Sequence, residues 1–169
     1  MVTLPLLTIC FPKKKIDEVW VVLTPLSPFK KSKKIVSFEG RMKMLRMAFK
    51  NKKNVVVSDF ERKLKPPNYT IDTLCYLKKQ YPKNKFSIIL GSDNFQNINL
   101  WKDYKLILNN YHIFIYPRNN IGRPLPKHSL RQKTTQLDMT LLPISSTSIR
   151  KKINTNTSFL GDVKTEVRQ

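Results

Sequence analysis

The sequence predicts an α/β fold with a mainly parallel sheet, and three observations carry that prediction. Short apolar runs occur at Val19–Leu23, Val55–Val57 and Phe86–Leu90. Each is too short for a helix and has the unbroken pattern of a strand covered on both faces. Amphipathic stretches with helical spacing separate them, so strands and helices alternate. The third run leads directly into Gly91-Ser92-Asp93-Asn94, the strand-to-loop junction at which open α/β sheets bind ligands.

Taken in order, the Val19–Leu23 strand is ended by Thr24-Pro25. From Phe38, residues Met42, Leu45, Met47, Ala48 and Phe49 recur at helical intervals, with Glu39 early and Lys50 late as the helix dipole prefers. The Val55–Val57 strand closes at Ser58-Asp59, and Pro66-Pro67 exclude helix around them. A second helix therefore starts at Thr70, a candidate N-cap, with Ile71, Leu74, Leu77 and Tyr81 on one face up to Pro82. A helical stretch around Trp101–Leu108 and a strand at Tyr111–Tyr116 follow the Phe86–Leu90 strand. Arg118–Gln136, with Gly122, Pro124 and Pro126, reads as a long loop of the kind that is functional or mobile. A last strand is expected at Leu137–Leu142, a short helix at Ser145–Ile153, and a loose polar tail over 154–169. No repeat or linker divides the chain, so one domain over 1–169 is expected, with an atypical segment at 1–18.

Composition narrows the functional classes. A chain of 169 residues with 40% hydrophobic content can bury a core without staples, and no apolar run approaches the length of a bilayer span. Met1–Pro12 is apolar but lacks a basic leader and contains Pro5 and Pro12, which argues against a signal peptide or anchor. A cytoplasmic location is expected. The two cysteines, Cys10 and Cys75, have no motif spacing, which argues against zinc and against a disulfide framework. A net charge of +21 would suit a nucleic-acid partner. The excess, however, sits in short Lys runs such as Lys13–Lys15 and Lys50–Lys53 without interleaved aromatics, the pattern of a solvated surface. Such a charge still attracts anionic substrates such as nucleotides.

The densest cluster of chemistry is Ile144-Ser145-Ser146-Thr147-Ser148-Ile149-Arg150. Its hydroxyls stand where a helix starts, and Arg150 follows about one turn inside. Free N–H groups, the helix dipole and a guanidinium together make a phosphate site. An ordinary cap would need only one of those hydroxyls.

This segment resembles the C-terminal signature of nucleotidyltransferases that bind ATP phosphates. Tyr69-Thr70-Ile71-Asp72-Thr73-Leu74 resembles the Tyr-Thr-x-x-Thr-Leu segment of bacterial nicotinate-nucleotide adenylyltransferases, Gly91-Ser92-Asp93-Asn94 their Gly-x-Asp loop, and Trp101 stands where that loop's aromatic partner should stand. The resemblance implies a Rossmann-like nucleotidyltransferase fold. It also implies transfer of the adenylyl group from ATP, with Mg2+, to nicotinate mononucleotide, a step of NAD biosynthesis. Within it, Trp101 would stack on the pyridine ring, Thr70 would receive the nicotinate carboxylate, and Asp93 would accept from an adenylate ribose hydroxyl. Ser145, Ser146, Thr147 and Arg150 would hold ATP, Lys30 and Arg150 would act at the reacting phosphate, and Arg118 would face the acceptor's phosphate.

The sequence departs from that family at one place. The family's first strand leads into a Gly-x-Phe-x-Pro-x-His-x-Gly-His turn, whereas the only two histidines here are His112 and His128. Fewer residues precede Trp20 than a strand, loop and helix normally occupy, so a missing first strand is expected, from either a misplaced start or a damaged copy. Losing one preorganised donor costs about 100-fold to 1,000-fold in rate, which implies weak activity at best. A pantetheine-phosphate or nicotinamide-type adenylyltransferase, and a non-catalytic basic remnant that binds nucleotides or nucleic acid, remain as alternatives.

Overall fold

The computed structural model describes residues 16–26, 36–118 and 133–138. These fall into two units, one up to Pro66 and one from Pro67 onward. In the first unit, β1 (Val19–Val22) and β2 (Val55–Ser58) pair in parallel, Val19 opposite Val55 through Val22 opposite Ser58. A parallel pair needs a crossover, and α1 (Phe38–Phe49) lies between the two strands in the chain. It begins at Ser37, whose hydroxyl accepts from the Gly40 N–H at 3.1 Å, satisfying one of the orphan donors of the first turn.

Helical spacing puts Met42 and Leu45 on one face of α1, where they are buried with Val21 and Leu23. Burial of each such side chain stabilises the unit by about 1.5–3 kcal/mol. The neighbouring Arg41 donates from Nη1 to the Thr24 carbonyl at 3.0 Å and from Nη2 to the Pro25 carbonyl at 3.3 Å, tying α1 to the end of β1. Sequence patterning predicted a strand covered on both faces; the structure buries the Val21 and Leu23 side, while Trp20 is half-buried with its ring 6.5 Å from that of Phe60. Phe60–Lys63 forms a 3-10 turn that the sequence pattern did not suggest.

The second unit comprises α2 (Thr70–Gln80), β3 (Ser87–Gly91), α3 (Ser92–Gln96), a 3-10 turn at Ile98–Leu100, α4 (Tyr104–Asn110), β4 (His112–Tyr116) and β5 (Thr134–Gln136). The strands form a parallel sheet in the order β3-β4-β5. In the central strand Ile113, Phe114 and Ile115 are all buried, as an unbroken apolar run covered on both faces requires. Ile71 and Leu74 of α2, Leu90, Phe95, Ile98, Ile107 and Leu108 complete this core with Ile113 and Ile115.

Three boundaries differ from the sequence pattern. The last described strand, Thr134–Gln136, lies inside the segment Arg118–Gln136 that was expected to be a loop, whereas most of the expected Leu137–Leu142 strand, from 139 on, lies outside the described residues. The Ile113 N–H donates to the Lys133 carbonyl and the Leu137 N–H to the Ile115 carbonyl, both at 2.8 Å, so pairing with the edge of β4 satisfies these backbone groups and holds Thr134–Gln136 as a strand. Tyr69, not Thr70, is the N-cap of α2; its carbonyl accepts from the Thr73 N–H at 3.1 Å and from the Thr73 hydroxyl at 3.3 Å. Trp101 ends the 3-10 turn, ahead of α4, instead of opening a helix. The segment before Ile16, where a missing first strand was expected, the Ser145–Ile153 helix and the tail from 154 lie outside the described residues.

Candidate functional site

The parallel register sets Gly91 opposite Tyr116 at the carboxyl ends of β3 and β4. From there one chain enters α3 at Ser92 and the other continues to Arg118. The Arg118 N–H donates to Ser92 Oγ at 3.0 Å, and its Nη1 donates to Asp93 Oδ2 at 3.0 Å. The two side chains of this pair are 28% and 39% exposed, so the pair is open enough to exchange partners with a ligand. The same guanidinium lies 5.7 Å from the Tyr116 ring centroid.

Gly91 makes this approach possible. A methyl group on its Cα would run into Asp93 Oδ1 and stand 3.0 Å from Arg118 Cδ and 3.2 Å from Tyr116 Cζ. Asp93 Oδ1 is shielded from water and, among the described residues, finds no donor. A buried carboxylate oxygen left in that state is costly unless something donates to it. Burial raises the Tyr116 phenol above its ordinary range, with Arg118 opposing and Asp93 reinforcing the shift. Tyr116 therefore stays a neutral hydroxyl at physiological pH.

A second constellation gathers at the start of α2. Trp101 and Tyr69 both pack on the core of this unit. The Trp101 backbone is held on both sides: its N–H donates to the Ile98 carbonyl at 3.0 Å, and its carbonyl accepts from Tyr104 at 3.2 Å. The chain turns into α4 through Asp103, whose φ of 50° lies in the left-handed region, a conformation that Asp tolerates better than most residues. Lys102 Nζ donates to Asp72 Oδ1 at 2.9 Å and to Oδ2 at 3.0 Å, and sits 5.0 Å from the Tyr69 ring centroid. The Trp101–Lys102 segment is thereby fastened to the first turn of α2, which Thr70 opens. The Tyr69 side chain makes no cap bond at that start, and first-turn N–H groups of a helix can bind an anion.

Of the residues singled out by sequence, the structure brings Asp93 and Arg118 into contact and joins the segments of Thr70 and Trp101 through Lys102. Lys30, Ser145, Ser146, Thr147 and Arg150 lie outside the described residues. Sequence reasoning missed Tyr116, Asp72 and Lys102. The only available signals were adjacency: Lys102 follows Trp101, Asp72 lies inside the Tyr69-Thr70 segment, and Tyr116 precedes Pro117-Arg118. Among the described residues no group of three or more His, Cys, Asp or Glu side chains could hold a metal ion, and no helix is long and apolar enough to cross a membrane.

These strand-end positions suit a nucleotide, and comparison with known proteins decides the kinship. The family model described as cytidylyltransferase-like matches residues 9–152. The chain belongs to the cytidylyltransferase-like family. Within it, a Flavobacterium johnsoniae protein named "Probable nicotinate-nucleotide adenylyltransferase" is 36% identical over 138 residues, which cover 82% of this chain and 72% of the relative. A Cytophaga hutchinsonii protein of the same name is 33% identical over 154 residues, covering 91% of this chain and 79% of the relative. The Plasmodium falciparum nicotinic acid mononucleotide adenylyltransferase complexed with NaAD superposes with a TM-score of 0.68 at 22% identity, covering 85% of this chain and 72% of that one. The parallel sheets and flanking helices are thus those of a Rossmann-type nucleotidyltransferase.

Proposed function

We propose that this chain transfers the adenylyl group of ATP to nicotinate mononucleotide, giving nicotinate adenine dinucleotide and pyrophosphate. The observation that carries the reading is the tie between the segment of Trp101 and the first turn of α2, where Lys102 donates to Asp72. A flat indole on this segment, together with a helix start of the kind that binds anions, suits an aromatic ring bearing a carboxylate. The names of the relatives at 36% and 33% identity support the same acceptor.

In this reading Trp101 stacks on the pyridine ring, while Thr70 and the first N–H groups of α2 receive its carboxylate. The unpartnered Asp93 Oδ1 accepts from a ribose hydroxyl of the adenylate. Arg118, already held by Ser92 and Asp93, faces the acceptor's phosphate. Ser145, Ser146 and Thr147 hold the ATP phosphates, and Arg150 and Lys30 balance charge at the reacting phosphorus. An oxygen of the mononucleotide phosphate attacks the α-phosphorus in line, the bond to the bridging oxygen breaks, and pyrophosphate leaves with its electron pair. Mg2+ belongs to the substrate, arriving on the ATP phosphates. A cytoplasmic location completes the reading.

Calorimetric titration of the chain with nicotinate mononucleotide and with a non-hydrolysable ATP analogue plus Mg2+, beside a pyrophosphate-release assay, tests it. The expected result is binding of both ligands, with acceptor affinity reduced at least tenfold in Trp101→Ala. Absence of binding by both ligands overturns the assignment.

A further inference from the structure

The start of α2 carries an electrostatic contradiction. A helix N-terminus favours an anion, yet Asp72 already places a carboxylate in the first turn of α2. A second carboxylate bound at Thr70, two residues away, would meet a like charge in the same turn. Lys102 resolves this by donating to both oxygens of Asp72, at 2.9 and 3.0 Å.

We propose that Lys102 is a charge-balancing residue of the pyridine subsite: by neutralising Asp72, it allows the helix start to accept an anionic ring. The inference rests on the reading of Trp101 and Thr70 as the acceptor subsite. Its chemistry is directional. An acceptor with a carboxylate on the ring depends on the neutralisation, whereas an uncharged carboxamide on the same ring does not. Lys102 therefore sets the preference between the two acceptors without touching either.

Two further observations support this assignment. The hydrogen bond to Asp72 raises the Lys102 ammonium above its ordinary range, against the smaller opposing effect of desolvation, so the charge persists at physiological pH. The side chains of the pair are 44% and 45% exposed, and exposed pairs add little to global stability. A fastening that contributes so little to the fold finds its use in what it does to the adjoining turn. Exposure also makes the effect screenable by salt.

The test uses the full chain in a Trp20→Phe background, which leaves Trp101 as the single tryptophan of the two in the sequence, with indole quenching as the readout. Nicotinate mononucleotide and nicotinamide mononucleotide are titrated separately, at low and high salt. Lys102→Met is expected to weaken nicotinate mononucleotide about tenfold while changing nicotinamide mononucleotide less than twofold. Lys102→Arg should retain most of the affinity, and Lys102→Met combined with Asp72→Asn should recover at least half of the loss on a logarithmic scale. Equal weakening of both ligands, or unchanged affinity for both in Lys102→Met, overturns the inference. Thr70→Val, scored by the same quenching, separates it from the parent reading. If Thr70→Val weakens nicotinate mononucleotide and Lys102→Met does not, the subsite stands and the role of Lys102 falls. If nicotinate mononucleotide produces no quenching in the parent chain, both fall together.

Discussion

Arg118 Nη1 donates to Asp93 Oδ2 at 3.0 Å across the ends of two parallel strands, while the other oxygen of the same carboxylate is shielded from water and finds no donor among the described residues. The pair is half-made by design of the register: Gly91 opposite Tyr116 brings the two residues together, and only one lone-pair face is used. In the proposed reading the unused oxygen accepts from a ribose hydroxyl.

Replacing Asp93 by Asn keeps the shape and removes the charge. Because the pair is partly exposed, we expect less than about 1 kcal/mol of lost stability in urea unfolding. A charged acceptor's hydrogen bond contributes about 1.5–3 kcal/mol, so affinity for the ATP analogue should fall about tenfold or more by calorimetry.

Gly91→Ala should fail for a steric reason, since the added methyl meets Asp93 Oδ1, Arg118 Cδ and Tyr116 Cζ together. Overpacking of this kind costs about 1–3 kcal/mol. The expected outcome is a lowered urea midpoint together with loss of nucleotide binding, because relief of the clash must displace Asp93 or Arg118.

In the first unit, Arg41 ties α1 to the carbonyls of Thr24 and Pro25. Burial lowers its guanidinium from the ordinary value, opposed by Glu39, yet it stays charged at neutral pH. Lysine cannot reproduce a planar two-pronged donor. Arg41→Met should cost about 1.5–3 kcal/mol in thermal or urea unfolding, and Arg41→Lys should recover only part of it.

Alkaline unfolding should report Tyr116. Burial raises its folded-state phenol above the unfolded value, which is about 10. Below that pH both states hold the proton. Above it the unfolded chain releases its proton first, so this contribution to stability falls as pH rises from about 10 toward the raised folded value. The difference in melting temperature between the parent and Tyr116→Phe should be flat below about pH 9 and shift against the parent above about pH 10. A difference that is flat across the whole range would contradict the burial of this phenol.

How much of this was legible beforehand depends on the range of the interaction. The strands at Val19, Val55, Ser87 and His112 and the helices at Phe38 and Thr70 follow the apolar periodicity, and Met42, Leu45, Ile71, Leu74 and Leu77 are buried as that periodicity requires. Tyr81, placed on the same face, is instead 43% exposed because α2 has ended there. The strand at Thr134–Gln136 was hidden because its residues are polar, and the free edge of β4, not local propensity, recruits them. Thr70 looked like a cap because its hydroxyl suits one, but the carbonyl of Tyr69 takes that position by accepting twice from Thr73. Asp93, Arg118, Thr70 and Trp101 were singled out through motif resemblance, whereas the polar neighbours Tyr116, Asp72 and Lys102 were not.

Periodicity and composition are local quantities, and by themselves they determined most of the order of strands and helices and the faces turned inward, while motif resemblance pointed to the family. The pairing of Arg118 with Asp93 spans 25 residues and that of Lys102 with Asp72 spans 30. Such contacts arise only when parallel register and helix packing bring distant segments within hydrogen-bond reach. Tertiary structure alone therefore decided which charges are balanced at the strand ends and at the start of α2, because the energy of a charge depends on what stands a few ångströms from it in space.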